Sequence, residues 1–194
     1  MADVVSIHQV PEKHGPATSL ASATFLTGLG MNGDWRCRPN SSRQITIIEE
    51  EAVDALSKHL GIQIPSGATR RQVMIRGMRL ASKIGSHIKL GPIIVKVEAI
   101  CHPCERMEEN VGPGAKEAMK ENCGICDLVI SGGDLKVGDP VTVPIYDQFA
   151  AAGFKLKRKQ GQIFAKWSLL RGDVEREKIA AIRKIPFVFK VRLA

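Results

Sequence analysis

The segment IIVKVEAICHPCERMEENVGPG, residues 93–114, decides the fold. After its first residue it alternates cleanly, with Val95 and Val97 on one face and Lys96 and Glu98 on the other. That period of two marks a strand with one face buried. The strand delivers the chain at Ile100 to Cys101-His102-Pro103-Cys104. Glu105 to Val111 reads as a loop running into the turn Gly112-Pro113-Gly114, and Ala115 to Glu121 as a short helix.

On either side the pattern is again short strands. Asp3–His8, Gln44–Ile48, Gln72–Arg76 and Ser86–Leu90 are rich in β-branched residues or alternate. Glu49–Leu60 is a helix, with Ala52, Val53, Leu56 and Leu60 along one face, acids in its first turn and Gly61 as its stop. Gly28-Leu29-Gly30-Met31-Asn32-Gly33-Asp34 is a shaped loop. Ser131-Gly132-Gly133-Asp134 is a hairpin signal joining strands at Cys126–Ile130 and Leu135–Val143. Many short strands and few long helices predict a barrel or a sandwich.

The 194 residues suit one domain with an appendage, and 44% hydrophobic residues are enough for a core. No apolar run approaches the ~20 residues of a membrane-spanning helix. The N-terminus lacks a basic, then apolar, secretory pattern, so neither export nor a membrane is expected. Residues 1–150 hold 16 Lys+Arg against 17 Asp+Glu, whereas 151–194 hold 12 against 3. The net charge of +8 therefore belongs to the tail, a basic extension with a partner of its own or a solvated face. Within it, Phe154–Lys157, Ile163–Leu170 and Phe187–Leu193 read as strands and Asp173–Lys184 as a helix. Aromatics at 5% weaken any base-stacking surface, so nucleic acid is the less favoured partner.

Five cysteines in a chain without export features point to a reducing compartment, the cytoplasm, and to thiols kept for metal or chemistry. Four of them form Cys101-x2-Cys104 and Cys123-x2-Cys126 with 18 residues between the pairs, a spacing that fits a four-thiolate zinc site. Cys37 stands alone in the stretch Trp35-Arg36-Cys37-Arg38-Pro39.

A more specific likeness rests on several stretches in order. They are Pro103-Cys104, Arg106-Met107, Gly112-Pro113-Gly114, Met119 and Lys136-Val137-Gly138-Asp139-Pro140-Val141, preceded by Gly28–Asp34, Arg43–Ile48 and Arg70-Arg71 to Gly77. In this order and spacing the chain resembles the MOSC family, named for the C-terminal domain of molybdenum-cofactor sulfurases, from about Val4 to Val143. Gln72, Trp35 and the second Cys-x2-Cys depart from the usual pattern, and the tail after about residue 150 has no counterpart.

The resemblance implies a mainly β fold, a closed mixed β-barrel with short helices similar to the barrel domain of pyruvate kinase. The barrel would span residues 1–147, and 148–194 would be a basic extension packed on it or on another subunit. The family's signature cysteine, matched by Cys104, is proposed to carry sulfur as a persulfide or to ligate molybdenum. Active relatives reduce N-hydroxylated compounds with a bound molybdenum cofactor, whose thiolate ligand falls at Cys104 or Cys123 here. Arg43, Arg70, Arg71, His102, Arg106 and Asp34 are then candidates for the anionic cofactor, since guanidinium groups and loop N–H donors suit a phosphate. No pyridoxal phosphate is expected, because the chain lacks the length of the separate sulfurase domain. Expected partners are the cofactor or a sulfur-donor protein, an electron-transfer partner, and a second copy of the chain. The competing function is a binding module stabilised by zinc on Cys101, Cys104, Cys123 and Cys126, whose basic tail meets nucleic acid or an acidic partner.

Overall fold

The computed structural model describes residues 1–144, 155–159 and 162–166. Two compact units divide the chain, Met1–Thr142 and Val143–Ala194. The first contains β1 (Asp3–Gln9), β2 (Thr18–Leu20), β3 (Ser22–Leu26), β4 (Gly30–Met31), β5 (Ile45–Glu49), α1 (Glu50–Leu60), β6 (Val73–Arg76), β7 (His87–Leu90) and β8 (Ile93–Ile100). It continues with α2 (Glu105–Val111), α3 (Ala115–Ala118), β9 (Ile125–Ser131), β10 (Gly133–Lys136) and β11 (Val141–Thr142). The second unit shows an antiparallel pair, β12 (Lys155–Lys159) and β13 (Gln162–Lys166).

The fold of the first unit is mainly β. Eight strands form a mixed sheet in the order β11-β7-β8-β9-β5-β6-β1-β2, in which β5 and β6 run parallel. A three-stranded sheet, β10-β3-β4, contributes Ala23, Phe25, Met31 and Leu135 to the same apolar cluster as the inner face of the large sheet. A second cluster lies on the other face, where Ile48 and Met74 meet Val53 and Leu56 of α1, Met107 and Val111 of α2, and Ala115. Strand β5 explains why: Ile45 and Ile47 enter the first cluster while Ile48 enters the second. A strand covered on both faces has no polar side, so its sequence loses alternation.

Helix α1 has the expected bounds to within a residue, and Gly61 ends it at φ 65°, its N–H donating to the Ser57 carbonyl. The helix α2 replaces an expected loop. Met107 and Val111, four apart, lie on one face and are buried in the second cluster, which rewards the helical turn despite weak periodicity.

The hairpin expected at Ser131–Asp134 does not form, because β10 pairs with β3 and β9 lies between β8 and β5. Gly132 serves close packing instead: a Cβ there would come 2.3 Å from the Phe25 carbonyl oxygen. The strand expected over Leu135–Val143 is broken at Val137–Asp139, where Gly138 takes φ 88° and the Asp139 carboxylate accepts the Lys136 N–H. Strands β2 and β3 were not marked by the sequence, since their exposed positions carry Thr and Ser rather than a strong alternation. In the tail, β12 and β13 fall near two of the expected strands. The helix expected at 173–184 and the strand at 187–193 lie outside the described residues.

Candidate functional site: thiols among arginines

Strand β8 carries one extra residue relative to β9: Val97 pairs with Asp127, but Ala99 pairs with Cys126. This bulge reverses the facing of everything that follows it. Without it Cys101 would lie on the opposite face from Cys126; with it both thiols share a face, and the Cys101 N–H donates to the Gly124 carbonyl. Gly124 also brings the second Cys-x2-Cys segment against β5, since a Cβ there would meet the Ile47 carbonyl oxygen at 2.2 Å.

Cys101 and Cys126 are both buried, and all five cysteines are free. Their side chains hydrogen-bond to each other, and the pair shares its protons unequally. The bond from Cys126 pulls the Cys101 thiol down to about 6 against the penalty of burial, helped by the charges of Arg71, Arg43 and Arg36. Cys126 is pushed up, first by that same bond and then by burial. The shared bond therefore favours one thiolate in the pair, with Cys101 lowered and Cys126 raised.

Cys104 is exposed at the start of α2, and its carbonyl accepts the N–H groups of Met107 and Glu108. It shares an arginine with the buried pair. Burial lowers the Arg43 guanidinium, but the charges of Cys101, Cys126 and Cys104 and a hydrogen bond to Cys126 raise it overall.

The neighbouring arginines divide into two kinds. Arg71 is buried and donates from Nε to the Cys123 carbonyl at 2.9 Å, from Nη1 to Thr69 at 2.9 Å and from Nη2 to Cys101 at 2.7 Å. It ties the two Cys-x2-Cys segments together through their backbones. Arg36 is buried with Asp34, its Nη1 within 3.0 Å of both carboxylate oxygens. Asp34 also accepts the N–H groups of Val10 and Arg36, so it organises the loop.

Arg70 and Arg106, by contrast, gather around one loop. Arg70 donates to the Gly15 and Lys13 carbonyls and Arg106 to the His14 carbonyl. Arg70 adopts φ 59°, a left-handed conformation that costs a non-glycine residue about 1–2 kcal/mol. Its pKa is lowered by burial and then by the like charges of Arg36 and Arg106. Arg106 also pairs with the exposed Glu109 at 2.7 Å. Among the described residues Arg43 and Arg70 make no ion pair with a carboxylate, so the cluster keeps an excess of positive charge next to Cys104.

Cys123 occupies different surroundings. It packs in the second apolar cluster, donates to the Lys120 carbonyl at 3.7 Å, and has its thiol pushed up by burial. His102 is exposed. Among the described residues no three His, Cys, Asp or Glu side chains converge to hold a metal ion, so the four thiols are not gathered as their spacing anticipates. A chain can meet a spacing rule while its backbone sends the side chains to different faces, and the bulge and the burial of Cys123 do that here.

Two residues of this region went unmarked in the sequence. Arg36 lies two residues beyond Asp34 in a loop, and nothing in a loop announces an ion pair. Asp127 had a signal: it falls on the inward parity of Ile125 and Val129. It is fully buried, both carboxylate oxygens lack a partner among the described residues, and burial followed by the charges of Cys101 and Glu98 pushes it well above the ordinary carboxylate range.

The sequence pattern of the MOSC domain matches residues 24–142, more than half of the chain. The chain belongs to the MOSC family. The matched span includes the arginine cluster and all five thiols. Solved structures with the same fold include the YuaD protein of Bacillus subtilis, at 20% identity and TM-score 0.63, covering 73% of this chain and 94% of that one. YiiM from Geobacillus stearothermophilus is similar at 16% identity and TM-score 0.62, covering 74% and 75%. YiiM from Escherichia coli follows at 14% identity and TM-score 0.58, covering 74% and 70%. At these identities the likeness is one of fold. No curated protein matches the chain.

Proposed function

We propose that this MOSC protein carries sulfur on Cys104 and uses its arginine cluster to hold the anionic molecules that deliver or receive it. The observation that carries the proposal is an exposed thiol beside Arg43 and Arg70, neither of them in an ion pair among the described residues. Positive charge beside an exposed thiol attracts anionic sulfur donors to it. Arginine also recognises phosphate-like groups through paired N–H donors.

The molybdenum cofactor fits the same residues. Arg43 would face its phosphate, Arg70 and Arg106 would add positive charge from the loop carbonyls they bond, and Cys104 would offer a soft ligand to the metal. When bound, the cofactor would supply the two-electron chemistry that reduces an N-hydroxylated compound. Arg71, Arg36 and Asp34 would act indirectly, by fixing the segments that present Cys104 and Arg70. Cys123, packed among apolar groups, is the weaker candidate for the functional thiol. Five free thiols agree with a reducing compartment, and the cytoplasm is the location proposed.

Among the described residues no helix is long and apolar enough to cross a membrane. Sulfur-donor and electron-transfer proteins are the partners proposed, with 148–194 as an accessory element on the barrel or on a second copy. The large and small sheets line one cluster, which supports their closing as a barrel.

Thiosulfate tests the proposal, because it is an anion with a transferable sulfur. The Cys104 thiolate would attack that sulfur and expel sulfite, leaving a persulfide. Cys104→Ser is expected to lower sulfite release by about 100-fold or more, while Arg70→Ala raises the thiosulfate concentration needed. A Cys104→Ser chain releasing sulfite at the wild-type rate would overturn the assignment.

A further inference from the structure

Cys101 and Cys126 lie outside the chemistry assigned to Cys104, yet a bulge in β8 sets them on one face of the sheet. Most buried free cysteines behave as small apolar groups. These two are hydrogen-bonded thiols beside Arg43, which also senses Cys104. Cys101 is thus related to both other thiols: it stands three residues before Cys104, and the register of β8 puts it on the face of the sheet that carries Cys126.

We propose that Cys101 and Cys126 are a dithiol couple that reduces the sulfur carried on Cys104 and closes into an intramolecular disulfide. The proposal rests on Cys104 being the sulfur carrier. The Cys101 thiolate attacks Sγ of the Cys104 persulfide; the S–S bond of the persulfide breaks and hydrosulfide leaves. Cys126 gives up its proton and attacks Sγ of Cys101, and the Cys104 thiolate departs. In sum, the Cys104 persulfide and two thiols yield the Cys104 thiol, a Cys101–Cys126 disulfide and hydrogen sulfide. The two thiols lose two electrons and the transferred sulfur gains them.

Burial suits this assignment. Only 2% of Cys101 and 6% of Cys126 is exposed, so bulky oxidants meet Cys104 first and the pair is reached through it. The directions agree with these roles, since Cys101 is lowered and Cys126 raised, which favours Cys101 as the attacking sulfur.

The test loads the reduced full-length chain with thiosulfate, measures released sulfide, blocks remaining thiols with N-ethylmaleimide and maps the peptides. The expected result is sulfide release with Cys101 linked to Cys126 and Cys104 blocked as a free thiol. Cys101→Ser should load sulfur on Cys104 but release sulfide at least about tenfold more slowly. Cys126→Ser should stop at a Cys101–Cys104 disulfide. The wild-type map needs no variant to fold. A persulfide that stays on Cys104 while Cys101 and Cys126 are both blocked as free thiols overturns the couple and leaves the carrier assignment standing. A chain that takes up no sulfur at Cys104 overturns both.

Discussion

The two Cys-x2-Cys segments have the same spacing and opposite surroundings. In the first, Cys101 lies against guanidinium groups and Cys104 is exposed beside them. In the second, Cys123 packs among Met107, Met119 and Val111, and Cys126 shares Arg43 with Cys101. One residue inserted in β8 and one apolar pocket under α2 and α3 make the difference. Spacing selects which residue types are near one another along the chain, whereas strand register selects which of them meet. The thiols whose charges act on Arg43, namely Cys101, Cys104 and Cys126, come from both motifs.

The division can be broken most severely at Arg71, which joins both segments through the Cys101 and Cys123 carbonyls. Arg71→Ala leaves three buried carbonyls without their charged donor. It should cost on the order of 4 kcal/mol in stability, read as a lower denaturant midpoint. A midpoint unchanged from wild type would mean that the segments hold their places without the clamp.

Asp127 sharpens the contrast from inside the core, where the first cluster surrounds a carboxyl with no partner. Asp127→Val should stabilise the chain by about 1–3 kcal/mol. The gain has a sign in pH. The folded carboxyl keeps its proton above the ordinary value of 3.8, so the folded state binds more protons and wild-type stability falls as pH rises past that value. The advantage of the variant should therefore grow with pH, and an advantage confined to low pH would contradict a buried neutral acid.

At neutral pH the smallest effect comes from the thiol pair, whose contribution has by then grown over only about one pH unit. The value for Cys101 is lowered from 9.0 to about 6, so its contribution to stability is complete above 9 and is lost as pH falls through 6. Cys101→Ser should flatten the pH dependence between 6 and 9. Thiolate absorbance should titrate near 6 in the wild type and lose that step in the variant. Cys123→Ala should leave the step in place.

Much of the frame was legible in the sequence because alternation and helix periodicity register one-sided burial. Strand β8 and helix α1 follow from that, and the family was legible separately, from the likeness of motifs around Pro103-Cys104. Helix α2 and the break after Lys136 were not legible, since they depend on what the chain packs against. The site was legible as a set of residue types near Cys104, but not as an arrangement. Arg71 has the same phosphate-friendly guanidinium as Arg43, yet its donors are committed to backbone carbonyls, and the Asp34 carboxylate is committed to Arg36. The bulge that turns Cys101 toward Cys126 leaves no mark in IIVKVEAIC, because an extra residue in a strand shows only in its pairing.

The central claim is that environment, not spacing, makes Cys104 the sulfur carrier and Cys123 a packed thiol. A brief thiosulfate pulse, followed by alkylation and peptide mapping of every cysteine, tests it directly. The account predicts persulfide sulfur on Cys104 and none on Cys123, and sulfur found on Cys123 with Cys104 unmodified would contradict it.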